Sequence, residues 1–201
     1  MRRIKTTAFA LIVTVFLVIP SVALAATWEI DPAHSTANFK VKHMMISNVQ
    51  GSFRDIQGTL QLDEQKIERS KVNVTIAADS IDTGVEKRDA HLRSADFFDV
   101  ANYQSLTFTS KRVERGSDGA LTLVGDLTIH GVVKEVALLV EGPTAEIKDP
   151  WGNIRKAAKA TTRINRKDFG LSWNAALETG GVLVGEEIEI ELDVQFIKQA
   201  A

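Results

Sequence analysis

The stretch Glu187-Ile188-Glu189-Ile190-Glu191-Leu192-Asp193-Val194-Gln195-Phe196 alternates polar and apolar residues without interruption. Successive side chains leave an extended strand on opposite faces, so Ile188, Ile190, Leu192, Val194 and Phe196 belong to an enclosed face and the acids to water. The pattern recurs along the chain. Ala37, Phe39, Val41 and His43 alternate with Thr36, Asn38, Lys40 and Lys42; Val72, Val74 and Ile76 alternate with Lys71, Asn73 and Thr75; Leu121, Leu123, Gly125, Leu127 and Ile129 share one face. Between Val49 and Leu62 the apolar parity switches from odd (Val49, Gly51, Phe53) to even (Ile56, Gly58, Leu60, Leu62). A bulge near Arg54-Asp55 restores a common face and bends the strand as a closing barrel requires.

Short turn signals separate about nine such segments: His130-Gly131 and Ser117-Asp118-Gly119 read as hairpins, and Gly142-Pro143 ends a strand. Connections this short make neighbours antiparallel. Only Asp82–Ser94 reads as a helix, with Asp82 or Thr83 as its cap and Val85, Asp89 and Leu92 on one side. The pattern predicts an all-β fold, either a sandwich or an up-and-down barrel. In Lys156–Ile164 neither face fills much volume: one carries Ala158, Ala160 and Thr162, the other Ala157 and Thr161. Glycines at 51, 58, 125, 180, 181 and 185 add none. A barrel of about eight strands is filled by its side chains or holds one ligand; small wall residues suit a ligand, but they equally suit bending and close packing.

Composition narrows the chemistry. The 201 residues include no cysteine, which excludes a disulfide scaffold, a cysteine-ligated zinc or iron–sulfur site, a thiol nucleophile and a lipidated cysteine anchor. Arg2, Arg3 and Lys5, an apolar run from Ala8 to Ile19, Pro20 and then Ala23-Leu24-Ala25 form a three-part secretory signal. The apolar run is too short to span a bilayer, which needs roughly 20 residues. Residues 1–25 are therefore expected to be removed, leaving 26–201 as one domain in a bacterial periplasm. The leader holds three basic and no acidic residues, so its loss moves the formal net charge from −2 to −5. Nothing in that balance offers a footprint for nucleic acid.

Catalytic signatures are absent by spacing. His34, His43, His91 and His130 form no HxH or HExxH pattern, there is no GxSxG elbow, and Gly180-Gly181 to Gly185 lacks the spacing of a phosphate loop and reads as a hairpin or strand start. Asp89, His91 and Ser94 do not align as a relay on one helix face. The densest constellation is Arg88 to Asp99, where cations stand beside Phe97 and Phe98. It suits either an amphiphile with a polar head or a solvated helix whose phenylalanines plug a barrel.

Six motifs in order resemble the YceI-like family of lipocalin-fold, polyisoprenoid-binding periplasmic proteins: Trp28 to Asp31 with His34, Ser35 and Phe39; His91 to Phe98; Thr107 to Ser110; Gly125 to Val132; Asp149 to Gly152; and Asn165 to Gly170. The resemblance implies an eight-stranded antiparallel up-and-down barrel with one or two short helices and an elongated apolar cavity. It implies as ligand a long isoprenoid, isoprenoid quinone or related lipid; no other cofactor, no metal and no catalytic residue is expected, by the spacing above. On that basis Phe39, Val41, Phe53, Leu106, Phe108, Leu127, Ile129, Ala160, Trp173, Ile190 and Leu192 are the cavity candidates. Arg88, His91 and Arg93 are candidates for the polar head, and Met44, Met45, Phe97 and Phe98 for the mouth. The expected protein is a non-enzymatic periplasmic carrier that touches the inner membrane transiently, with homodimerisation left open. Its rivals are an enzyme acting on isoprenoid or quinone lipids inside the barrel and a ligand-free envelope interaction or stress protein.

Overall fold

A computed structural model describes residues 25–178 and 180–200. The secretory leader assigned from sequence lies outside them, apart from its last residue. In chain order the elements are β1 (Ala26–Ile30), β2 (Thr36–His43), β3 (Ser47–Phe53), β4 (Ile56–Leu62), β5 (Lys71–Ala77), β6 (Ile81–Asp82), α1 (Glu86–Arg93), β7 (Ser105–Arg115), β8 (Leu121–Ile129), β9 (Val132–Glu141), β10 (Ile147–Lys148), β11 (Ile154–Asn165) and β12 (Val184–Lys198).

Every strand pair is antiparallel. β1 and β2 lie end to end along β12, β3 breaks into β4 at Arg54-Asp55, and β5 breaks into β6 through a 3₁₀ turn at Ala78–Ser80. Taken as continuous staves, these strands with β7, β8, β9, β11 and β12 make a closed eight-stranded barrel, each stave beside its sequence neighbour. The last pair, β11 with β12, runs in unbroken register from Arg155↔Ile197 to Asn165↔Glu187. Leu192 pairs with Ala37 on one side and Ala160 on the other. The break at Arg54-Asp55 is the bend the parity switch predicts: it puts Phe53 and Ile56 on the same inner face, and both are buried.

The helix is shorter than its sequence suggests. Asp82 accepts from the Gly84 N–H (2.8 Å), and Asp89 accepts from both the N–H (2.9 Å) and hydroxyl (2.5 Å) of Thr83. These bonds fold residues 82–85 into a turn before helical geometry begins at Glu86. Asp89 thus reaches backward from inside the helix to hold the segment expected to cap it.

The staves divide the loops between two ends. The 43–47 hairpin, α1 with residues 94–104, the His130-Gly131 turn and residues 166–178 and 180–183 lie at one end, here the helix end. Residues 63–70, 116–120 and 142–153 lie at the other, with Ala26 and Lys198.

Candidate functional site

An apolar cavity runs through the barrel from Leu62, Leu121 and Pro143 at one end to Phe97, Phe98 and Leu171 at the other. The centres of water molecules could occupy about 260 Å³ of it, and almost none of the surface it presents is polar. The alternation along each stave is the cause: one side of every strand contributes apolar side chains to one enclosed space. Ten of the eleven residues expected from sequence line this cavity, namely Phe39, Val41, Phe53, Leu106, Phe108, Leu127, Ile129, Ala160, Ile190 and Leu192.

Trp173 does not line it. It follows the 3₁₀ turn Arg166–Phe169 in a segment without strand geometry, where parity says nothing, and its ring packs edge-on against His91 (4.7 Å between centroids) and beside Phe97 (5.2 Å). Two glycines also answer differently from a simple lack of volume. A Cβ on Gly51 would fall 2.4 Å from the Phe39 ring, and one on Gly125 2.6 Å from the Phe108 ring. Each phenylalanine occupies the space that the neighbouring glycine leaves, Gly51 directly opposite Phe39 and Gly125 diagonal to Phe108. The room in the cavity comes instead from Ala158, Ala160 and Thr162 on β11.

The head and mouth candidates separate. Phe97 and Phe98 line the cavity with Leu92 and close its helix end, Phe98 meeting Phe53 edge to face at 5.6 Å. Arg88, His91 and Arg93 do not face it. Arg88 donates to the Thr83 hydroxyl (2.7 Å) and carbonyl (3.0 Å), and Arg93 to the carbonyls of Asp79 (2.8 Å) and Ile81 (2.7 Å). A ring nitrogen of His91 lies 2.9 Å from Asp96. The two arginines pin the helix to the wall through carbonyls of the 3₁₀ turn, β6 and the turn after it, while His91 pairs within the lid. Met44 and Met45 sit at the tip of the β2–β3 hairpin in left-handed backbone geometry, with φ of 50° and 62°, and neither reaches the cavity.

Among the cavity residues not named from sequence, one is charged. Arg166 is buried, and its guanidinium donates to three carbonyls: Gly185 (2.8 Å), Val184 (3.4 Å) and Leu171. Burial pushes the guanidinium down from its ordinary value, with the nearby Glu186 opposing. The side chain clasps the start of β12 to the segment that closes the helix end. Its signal was its place in the Asn165–Gly170 motif, which gives no hint that the charge is internal.

At the opposite end the cavity adjoins a polar vestibule containing Glu64, Arg115 and Lys156. Lys156 holds the Glu64 carboxyl below its usual range. Nearby, Arg155 donates to Asp31 (2.5 Å) and Asp149 (2.7 Å), tying the β1–β2 corner to the loop after β10. Arg155 lowers the Asp31 carboxyl most; burial opposes, while His34 and the Ala33 N–H add to the lowering. For Asp149, burial acts upward, but Arg155, Asn153 and the N–H groups of Asn153 and Trp151 together drive it far below the usual carboxylate range.

Comparison with known proteins bears on this architecture. A UPF0312 protein of Vibrio vulnificus is 37% identical over 185 residues, covering 91% of this chain and 93% of its own. The Campylobacter jejuni YceI protein superposes with a TM-score of 0.66 at 30% identity, over 79% of this chain and 90% of that one. A polyisoprenoid-binding domain from Saccharophagus degradans, at 18% identity, shares the fold with a TM-score of 0.61 over 87% of this chain and 99% of its own. The family model described as the YceI-like domain matches residues 28–196, and the chain belongs to that family.

Proposed function

We propose that this protein is an exported, non-enzymatic carrier that holds a long isoprenoid-type lipid inside its barrel. The observation that carries this reading is the cavity: a continuous apolar space through the fold, with Arg166 the one charged residue on its wall among the described residues. Such a wall recognises a tail by exclusion of water and offers no acid–base pair to do chemistry on it. The polyisoprenoid-binding description of the Saccharophagus degradans domain supports the ligand class. The secretory pattern of residues 1–25 supports the periplasm.

The energetics set what such a site can select. Burying methylene-sized groups gains about 0.8 kcal/mol each, so five isoprene units, about 25 carbons, gain on the order of 20 kcal/mol before costs. That already meets the practical ceiling of roughly 18–21 kcal/mol for non-covalent binding. Ordering the tail offsets much of it. Chain length and head chemistry are then left to discriminate among lipids.

The test is native mass spectrometry and lipid extraction of the protein purified from its own cell envelope, alongside Ala160→Trp, which puts an indole into the middle of the cavity. A co-purifying isoprenoid lipid, and about a hundredfold or greater loss of affinity in Ala160→Trp, are expected, since losing only four buried methylene equivalents would suffice. Protein repeatedly free of lipid, or an Ala160→Trp variant that binds undiminished, would sink the carrier reading.

A further inference from the structure

The apolar cavity and the polar vestibule share five side chains, Leu62, Ile67, Leu121, Val140 and Pro143, so the two compartments meet across an apolar seam. The vestibule has room for the centres of water molecules over about 360 Å³, and its charged lining is two cations, Lys156 and Arg115, against one carboxylate, Glu64. Among the described residues the helix end offers no equivalent: Leu92, Phe97 and Phe98 close it, and Arg88 and Arg93 donate to the backbone.

Lys156 is unusual among the surface-rich lysines of this chain. Its side chain is only 8% exposed, and its ammonium donates to Glu64 (2.8 Å) and approaches the Thr144 carbonyl (3.4 Å). An ammonium has three N–H donors, and a buried one requires a counter-anion. The counter-anion present is replaceable, because the Glu64 side chain is 61% exposed and stands on a turn outside the strands. Among the described residues Arg115 pairs with Glu68 alone, at 3.5 Å, and both are half exposed.

We propose that the vestibule is the head subsite of the carried lipid and takes an oxyanion head of the phosphate class, with the tail threaded into the barrel toward Phe97 and Phe98. This inference rests on the carrier reading. The head oxygen takes the place of Glu64 on the Lys156 ammonium while the carboxylate turns to water, so the buried cation stays paired throughout. A neutral head cannot make that exchange, since it leaves Glu64 with the stronger claim.

The experiment compares geranylgeranyl monophosphate with geranylgeraniol, which share one tail, by displacement of a bound fluorescent lipid from the full mature chain. The phosphate is expected to bind more tightly by about tenfold or more, the scale of one charge-assisted hydrogen bond. Lys156→Met removes that preference, so that the two probes bind alike, and its little-changed thermal melt reports that the variant is folded. Glu64→Gln, lacking the competing carboxylate, binds the phosphate more tightly than the unaltered chain. Equal affinities for the two probes, or a preference that survives Lys156→Met, overturns the head subsite while the carrier reading stands. Failure of both probes to bind overturns the carrier reading and the subsite with it. Displacement by inorganic phosphate alone would assign the vestibule to the free ion and overturn the lipid-head assignment.

Discussion

At the helix end Leu92, Phe97 and Phe98 fill the barrel mouth, Trp173 and His91 pack on Phe97, and guanidinium groups bind backbone carbonyls. At the opposite end the barrel adjoins, across an apolar seam, a water-accessible space edged by ion pairs whose acids are largely exposed. Both ends are rich in arginine and lysine, yet the charges serve different purposes. Cations bonded to buried carbonyls hold a shape, because removing them strands oxygens away from water. A cation bonded to an exposed carboxylate keeps an alternative, because water or a ligand can replace its partner.

Truncation should separate the ends most clearly at Phe97. Phe97→Ala is expected to cost about 3–5 kcal/mol in denaturant unfolding, the range for a large buried aromatic. Arg166→Met comes next, at about 2–4 kcal/mol, since it leaves the Gly185 and Leu171 carbonyls without that donor in a buried site, while Asn174 still donates to the Val184 carbonyl. On the vestibule side, the Asp31–Arg155–Asp149 bridge contributes to acid stability. Both carboxyls lie below their unfolded values, so their contribution is complete above about pH 4 and is lost as the pH falls through the lower folded values. Thermal melts from pH 5 to pH 2 should show this fall, and Arg155→Met should flatten it. Smallest is Lys156→Met, expected to change stability by less than about 1 kcal/mol because Glu64 remains hydrated without it. Comparable losses from Arg166→Met and Lys156→Met would erase the distinction between a fastened end and an exchangeable one.

The staves were legible because each has one wet and one dry face, and alternation reports that difference directly. Even the bend at Arg54-Asp55 showed as a switch of parity. The lid was legible only in part: Phe97 and Phe98 were expected at a barrel mouth, but residues 94–104 and 166–183 have no period to read, and Trp173 and Arg166 owe their positions to tertiary packing. The vestibule was hidden for another reason. Glu64, Arg115 and Lys156 come from three separate parts of the chain and each resembles an ordinary surface charge. One signal was available: Lys156 continues the face of Ala158, Ala160 and Thr162, and a lysine on an inward face calls for a partner. The helix cations drew attention because they cluster in sequence, whereas the charges that meet at the cavity do so only after folding.

The three tryptophans are distributed as if to report on these regions separately. Trp28 is fully buried beneath the ammonium groups of Lys156 (5.6 Å) and Lys198 (5.3 Å), Trp173 lies against the lid, and Trp151 stands 81% exposed on the loop after β10. Single-tryptophan variants would therefore give one emission signal for the vestibule side, one for the lid and one for bulk solvent. The order in which those signals change when a lipid is added would reveal the direction of its passage through the barrel, without attaching any label to the protein.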